Sequence, residues 1–270
     1  MNLLVQTQLS NYNTSGKFIL EADSGWQMVM GRVRTLLTLQ PDMRVSILCP
    51  LRDQLVTQPE DVNPDIIGDP RVKCLHHGII PNALATRYDF DFVGIGKILR
   101  DTGERYTHVY INDPMHLRNF RALFYLKMRY VPKFFVHSHF IDNPECPKFP
   151  TEASLWYGQL EAALKADYNF WQCESAMNVF LDSARNYLND ELVDEIAEKS
   201  MPWDDGYSYD EILKPVDESE IRFKIPDDKV IVFVPNRVGG KGRSSDYTNC
   251  GKFLFEICNE LWKERQDFIV

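Results

Sequence analysis

Short apolar runs rich in valine, isoleucine and phenylalanine alternate along this chain with longer segments whose apolar residues recur every three or four positions. The short runs predict strands over residues 3–6, 45–48, 72–75, 108–111, 134–137 and 168–171. Helical spacing predicts helices over 26–39, 89–100, 115–129, 152–165 and 176–188. In the first of these, Met28, Val33, Leu36, Leu37 and Leu39 are available for an inner face. In the second, Phe92, Ile95 and Leu99 fall at i, i+3 and i+7. Strand and helix alternating in this way predict an α/β fold: a doubly wound, mostly parallel sheet with helices on both faces. Ligands of such sheets collect beyond the carboxyl ends of the strands. The polar first loop, with Gly16, and the residues after the strands at 108–111 and 134–137 belong to that rim.

The pattern changes near Asn189. Residues 189–228 are acidic, contain Pro202, Pro215 and Pro226, and lack sustained periodicity. That composition suits a surface segment or a connection between domains. Val230-Ile231-Val232-Phe233-Val234 then predicts a strand covered on both faces. It is followed by Asn236-Arg237-Val238-Gly239-Gly240-Lys241-Gly242 and a helical segment running to about Glu264, after which Phe268-Ile269-Val270 opens a further strand. The expected organisation is one domain over 1–188, a connection over 189–228 and the beginning of a second α/β domain over 229–270. Two strands and one helix do not bury their own faces. The chain therefore reads as truncated, or as completed by a companion chain or a second copy.

The turn at 236–242 carries the most specific chemistry. Its glycines let backbone N–H groups converge at a helix N-terminus, where an anion is stabilised. Arg237 and Lys241 add two cations, and Asn236, Gly239 and Gly240 shape the turn around the same spot. A phosphate or diphosphate is the expected occupant.

Composition narrows the classes. The 270 residues carry a net charge of −9, with 44% hydrophobic and 26% charged positions. These are globular proportions, and the acidic balance argues against general nucleic-acid affinity. Six cysteines are scattered without a C-x-x-C pair, the pattern of reduced thiols. The N-terminus lacks the form of a signal peptide, and no apolar run approaches the roughly 18 residues of a membrane span. A cytoplasmic location without a transmembrane segment is expected. On the rim, His137 and His139 sit two apart on a strand and face one side, which makes them candidates for substrate binding. Asp113, in Asn112-Asp113-Pro114, is a candidate for an acceptor hydroxyl, although turn formation explains that tripeptide equally well. His76-His77 reads as a strand terminus. Trp156, Tyr157 and Trp171 read as core or half-buried packing. His137, His139 and Asp142 lack the further partner that a metal site needs, so neither metal nor cofactor is expected.

A strand, Asn236-Arg237-Val238, a short gap, Lys241-Gly242 and a helix together resemble the start of the C-terminal domain in retaining glycosyltransferases of the two-Rossmann-domain (GT-B) architecture, the large family that includes glycogen synthase and sucrose synthase. Phe134-Phe135-Val136-His137-Ser138-His139 resembles that family's strand-and-histidine feature near acceptor and sugar. Ala166-Asp167-Tyr168-Asn169-Phe170-Trp171-Gln172-Cys173-Glu174-Ser175 resembles its "A-D-x-v-x-x-x-S" strand. The resemblance implies a Rossmann-like acceptor-side domain followed by the opening of a nucleotide-sugar-binding domain. It implies transfer from a nucleotide-diphosphate sugar to an acceptor, with Arg237 and Lys241 as catalytic residues on the leaving diphosphate. The family's donor domain continues to a pair of glutamates that hold the ribose, a segment this chain does not contain. Two other readings of the same residues are a sugar-nucleotide epimerase of related architecture and a non-catalytic binding or assembly subunit.

Overall fold

The structure is a computed structural model that describes residues 1–7, 9, 11–80, 89–139, 141, 150–203, 230–231, 260, 262–263 and 268–269. The chain divides into two units, 1–206 and 207–270.

In the first unit, the apolar runs become strands β1 (Asn2–Gln6), β2 (Arg44–Pro50), β3 (Val72–His77), β4 (His108–Ile111), β5 (Lys133–Ser138), β6 (Tyr168–Trp171) and β7 (Ser200–Pro202). All seven form one sheet in the order β3-β2-β1-β4-β5-β6-β7, and every neighbouring pair is parallel. This is a Rossmann-like α/β fold. Alternating side chains serve opposite faces, as the period of two requires. Leu3, Val5, Val45, Ile47 and Tyr110 pack into one core, whereas Leu4, Leu48, Val109, Ile111, Phe134 and Val136 pack into the other.

Helix α1 (Ser24–Leu39) covers the first of these cores through Trp26, Val29, Met30, Val33 and Leu37. The expected inner face is therefore rotated. Leu39 is 66% exposed, because the fully buried indole of Trp26 begins the apolar stripe. On the other face, α2 (Phe92–Thr102) starts later than expected. Asp89–Phe90 pairs antiparallel with Ile79–Ile80, and Asp91 then caps the helix by accepting from Gly94 N at 2.9 Å. The single helix expected over 115–129 is three segments: a tight turn at Pro114–His116, α3 (Leu117–Leu123), and a wider π-type turn at Phe124–Met128. Arg129 ends it in the left-handed region, at φ 57°.

After α4 (Pro150–Lys165) and α5 (Glu174–Ala184), the sheet continues beyond the expected boundary at 188. Residues 190–202, expected to lie in a connection, instead form α6 (Asp190–Glu198) and β7. Asn189 Oδ1 accepts from Leu192 N at 3.0 Å, and Asp190 and Glu191 occupy the first turn, where carboxylates favour the helix's positive end. The acidic composition is thus a helix start. Val193 and Ile196 are fully buried in a cluster with Trp156, Trp171 and Phe180. Pro202 is tolerated because β7 is the edge strand. The part of the expected connection at 204–229 lies outside the described residues.

In the second unit, Val230–Ile231 pairs parallel with Phe268–Ile269. The helix expected between these two strands falls mostly on residues outside those described. The turn at 236–242 lies outside the described residues.

The buried face of α6 yields a direct check on the boundary. Ile196→Ala should lower stability by about 2–5 kcal/mol, read as a drop in the urea midpoint. An unchanged midpoint would mean that 190–202 does not belong to the folded unit.

Candidate active site

The strand order reverses at β1, which lies between β2 and β4, and the crevice beyond these carboxyl ends is where ligands of such sheets bind. Gln6, the last residue of β1, closes the floor of that crevice. Its buried Oε1 accepts from Asn112 N at 2.8 Å and Asp113 N at 3.2 Å, while Nε2 donates to Thr7 O at 2.8 Å. One side chain thereby ties the end of β1 to the chain leaving β4.

The helix terminus that follows β1 is occupied by the protein itself. Asp23 is 1% exposed; its Oδ1 accepts from Trp26 N at 2.9 Å and its Oδ2 from Asn11 N at 2.8 Å. A carboxylate already faces the positive end of α1, so an incoming phosphate would meet like charge there. Gly16 lies away from this point, at an exposed turn. It adopts φ +79°, and its N–H donates to Asn13 O at 3.0 Å.

A polar cluster stands at the carboxyl ends of β4 and β5, on the face covered by α1. His137 continues the face of Phe135, and Phe135 pairs with Tyr110 across the strands. From α1, Arg32 reaches both residues. Its Nη1 lies 2.8 Å from His137 Nδ1 and also donates to Tyr110 Oη. Its guanidinium carbon sits 5.2 Å from the centroid of Trp203, within cation–π range. Tyr110 Oη donates to Asn112 Oδ1 at 3.1 Å, and His139 Nε2 lies 2.7 Å from the same oxygen. The rings of His137 and His139 meet edge to face at 4.1 Å.

These contacts set the protons. A guanidinium only donates, so His137 Nδ1 is an acceptor and the neutral ring carries its proton on Nε2. The 3.4 Å approach of Arg32 Nη2 to Nε2 is the longer of the two contacts and does not reverse this. Burial first, then His139 and Arg32, push the His137 pKa far below the ordinary histidine value. An amide oxygen only accepts, so His139 presents Nε2–H to Asn112. Asn112 Nδ2 is buried and has no hydrogen-bond partner among the described residues.

A second group of side chains lies at the ends of β3 and β4. His77 Nδ1 donates to Gly78 O at 2.8 Å, and its ring lies 5.0 Å from Phe90, which meets His116 edge-on at 4.5 Å. Asp113 Oδ2 is 4.0 Å from His116 Nε2, and Asp113 Oδ1 accepts from Met115 N at 3.1 Å. Burial lowers the His77 pKa to about 4.

The structure thus brings His137 and His139 together and engages Asp113 in capping the turn at Pro114–His116. Arg237, Lys241, Asn236, Gly239 and Gly240 lie outside the described residues. Trp156 and Trp171 are buried, as their reading as core requires, whereas Tyr157 is 59% exposed. Sequence reasoning missed Arg32, Tyr110, Gln6 and Trp203. The available signal was a cation beside Val33 and three residues after Val29, on the inner stripe of α1. Among the described residues, no group of three or more His, Cys, Asp or Glu side chains converges as a metal site would, and no helix is long and apolar enough to cross a membrane.

No protein-family model matches the sequence, and no curated protein matches it. Among solved structures, apo UGT2 of Phytolacca americana aligns with 76% of this chain and 52% of its own, at 7% identity and a TM-score of 0.44. LpCGTa in complex with UDP aligns with 89% of this chain and 60% of its own, at 9% identity and a TM-score of 0.46. The chain spans between half and two thirds of each neighbour's length. The Rossmann-like assignment rests on this chain's own strand order.

Neutral histidines in the folded state make stability pH-dependent. The unfolded chain takes up a proton near pH 6.5, whereas native His77 does so only near 4, so its share of stability is present above about 6.5 and is lost as pH falls to 4. The loss is on the order of 3 kcal/mol. Melting temperatures measured across this range should fall less steeply for His77→Gln than for the unmodified chain. Parallel profiles would contradict the assignment.

Proposed function

We propose that this chain belongs to a glycosyltransferase, supplying its acceptor-side unit and the opening of its donor-side unit. The donor is a nucleotide-diphosphate sugar and transfer proceeds with retention. The observation that carries this reading is the polar cluster at the carboxyl ends of β4 and β5, where Arg32, Tyr110, Asn112 and the two histidines are held by one another. His139 is the half-buried member of its histidine pair, His137 the buried one. In this reading His139 meets the substrate's hydroxyl groups, and His137 and Asn112 orient its ring.

The occupied end of α1 supports a division of labour. A carboxylate at that terminus disfavours phosphate in the first unit, and the glycine-rich turn at 236–242 supplies the anion site in the second. As the sugar–phosphate bond breaks, charge grows on the departing diphosphate. Arg237 and Lys241 stabilise that charge more strongly than the ground state, which is how such groups accelerate transfer. Two cations at this point do the neutralising work that a divalent ion does in other transferases.

The test is release of nucleoside diphosphate by the full chain supplied with nucleotide sugars and candidate acceptors. Replacing both Arg237 and Lys241 by alanine should reduce turnover by about 100-fold or more, and His139→Ala should reduce it with donor affinity retained. Unchanged turnover in the double variant would sink the assignment.

A further inference from the structure

From Pro114 to Ile141 the sequence contains no Asp or Glu, yet it holds Arg118, Arg121, Lys127, Arg129 and Lys133. A stretch of that length without a carboxylate stands out in a chain whose net charge is −9. Arg118 and Arg121 lie on α3, Lys127 in the π-type turn, Arg129 at its end and Lys133 at the start of β5. Arg118, Lys127, Arg129 and Lys133 are exposed, while Arg121 donates to Lys165 O at 2.7 Å and stays half-buried.

Apolar side chains stand among these cations. Tyr125 is 69% exposed, Leu126 67% and Val131 50%. The π-type turn is what brings them out. Phe120, Leu123 and Phe124 fill the core, and the wider turn at Phe124–Met128 then shifts the phase of the helix. Tyr125, Leu126 and Lys127 face solvent in succession, and only Met128 turns back against the core. The left-handed Arg129 ends the helix and aims the chain into Tyr130 and Val131. Exposed Tyr125, Leu126 and Val131, interspersed along the chain with exposed Lys127, Arg129 and Lys133, match an anionic bilayer surface, which offers phosphate groups to the cations and a shallow apolar layer to the apolar side chains. A nucleic acid would use the cations and one aromatic face but leaves Leu126 and Val131 without a partner.

We propose that this surface of the first unit docks on membranes containing anionic lipid, lying in the headgroup layer without crossing it. The attachment is independent of glycosyl transfer.

The experiment is co-sedimentation of the full chain with vesicles of phosphatidylcholine alone and of phosphatidylcholine mixed with phosphatidylserine. Binding should require phosphatidylserine and weaken as salt is raised. Lys127→Glu combined with Arg118→Glu should lower partitioning at least tenfold, since each cation at such a surface contributes roughly fivefold. Tyr125→Ser with Leu126→Ser should lower it while leaving the salt dependence in place. All four positions are exposed, and unchanged thermal melts of the variants separate loss of docking from loss of fold. No sedimentation with either vesicle, equal sedimentation with both, or variants that bind like the parent would overturn the proposal. So would salt-sensitive binding to a single-stranded oligonucleotide without binding to vesicles.

Discussion

The site depends on one buried cation. Arg32 lies 6% exposed in the middle of α1, a position where a full charge is costly unless its donors are used. Nη1 is used on both His137 and Tyr110, with Trp203 beneath the guanidinium. Because arginine cannot yield its protons, every neighbour must accept from it, and the direction of each hydrogen bond follows. Tyr110 receives from Arg32 and gives to Asn112. His137 receives and stays neutral. Asn112 accepts from Tyr110 and His139 together. A helix, two strand ends and the residue after β7 are thereby fixed relative to one another around a single charge.

A second constraint works at the other side of the crevice. Gln6 spans β1 and the exit of β4, and Asp23 fills the end of α1 that would otherwise attract an anion. Under the proposed function, that arrangement suits the first unit to hydroxyl-bearing ligands more than to phosphates. This asymmetry gives the glycine-rich turn its meaning. In the proposed transferase, acceptor and leaving diphosphate take separate places, and Arg237 and Lys241 belong by sequence to the unit that does not contain the Asp23 cap.

Strands were legible in the sequence because buried parallel strands read as unbroken apolar runs, and six of the seven lie where those runs predict. The seventh was not. Ser200–Pro202 is a three-residue edge strand containing a proline, and the helix before it begins with Asp190 and Glu191, so composition resembled a linker. The break after Leu123 was invisible because Leu117, Phe120 and Phe124 continue helical spacing through the π-type turn. His137 and His139 could be paired from their separation alone. Arg32 and Tyr110 could not, since their contact spans 78 residues and depends on how α1 is rotated over the sheet. Trp26 sets that rotation by packing where Met28 and Leu39 were expected to lead.

The central claim is that Arg32 holds His137 as a neutral ring with its proton on Nε2. Nitrogen-15 NMR of the histidine rings tests it most directly, followed from about pH 8 to about pH 5 in the folded chain. A His137 that keeps the shifts of the neutral Nε2–H form throughout is the predicted result. Titration of that ring with a midpoint near the ordinary histidine value, or a proton on Nδ1, would contradict it.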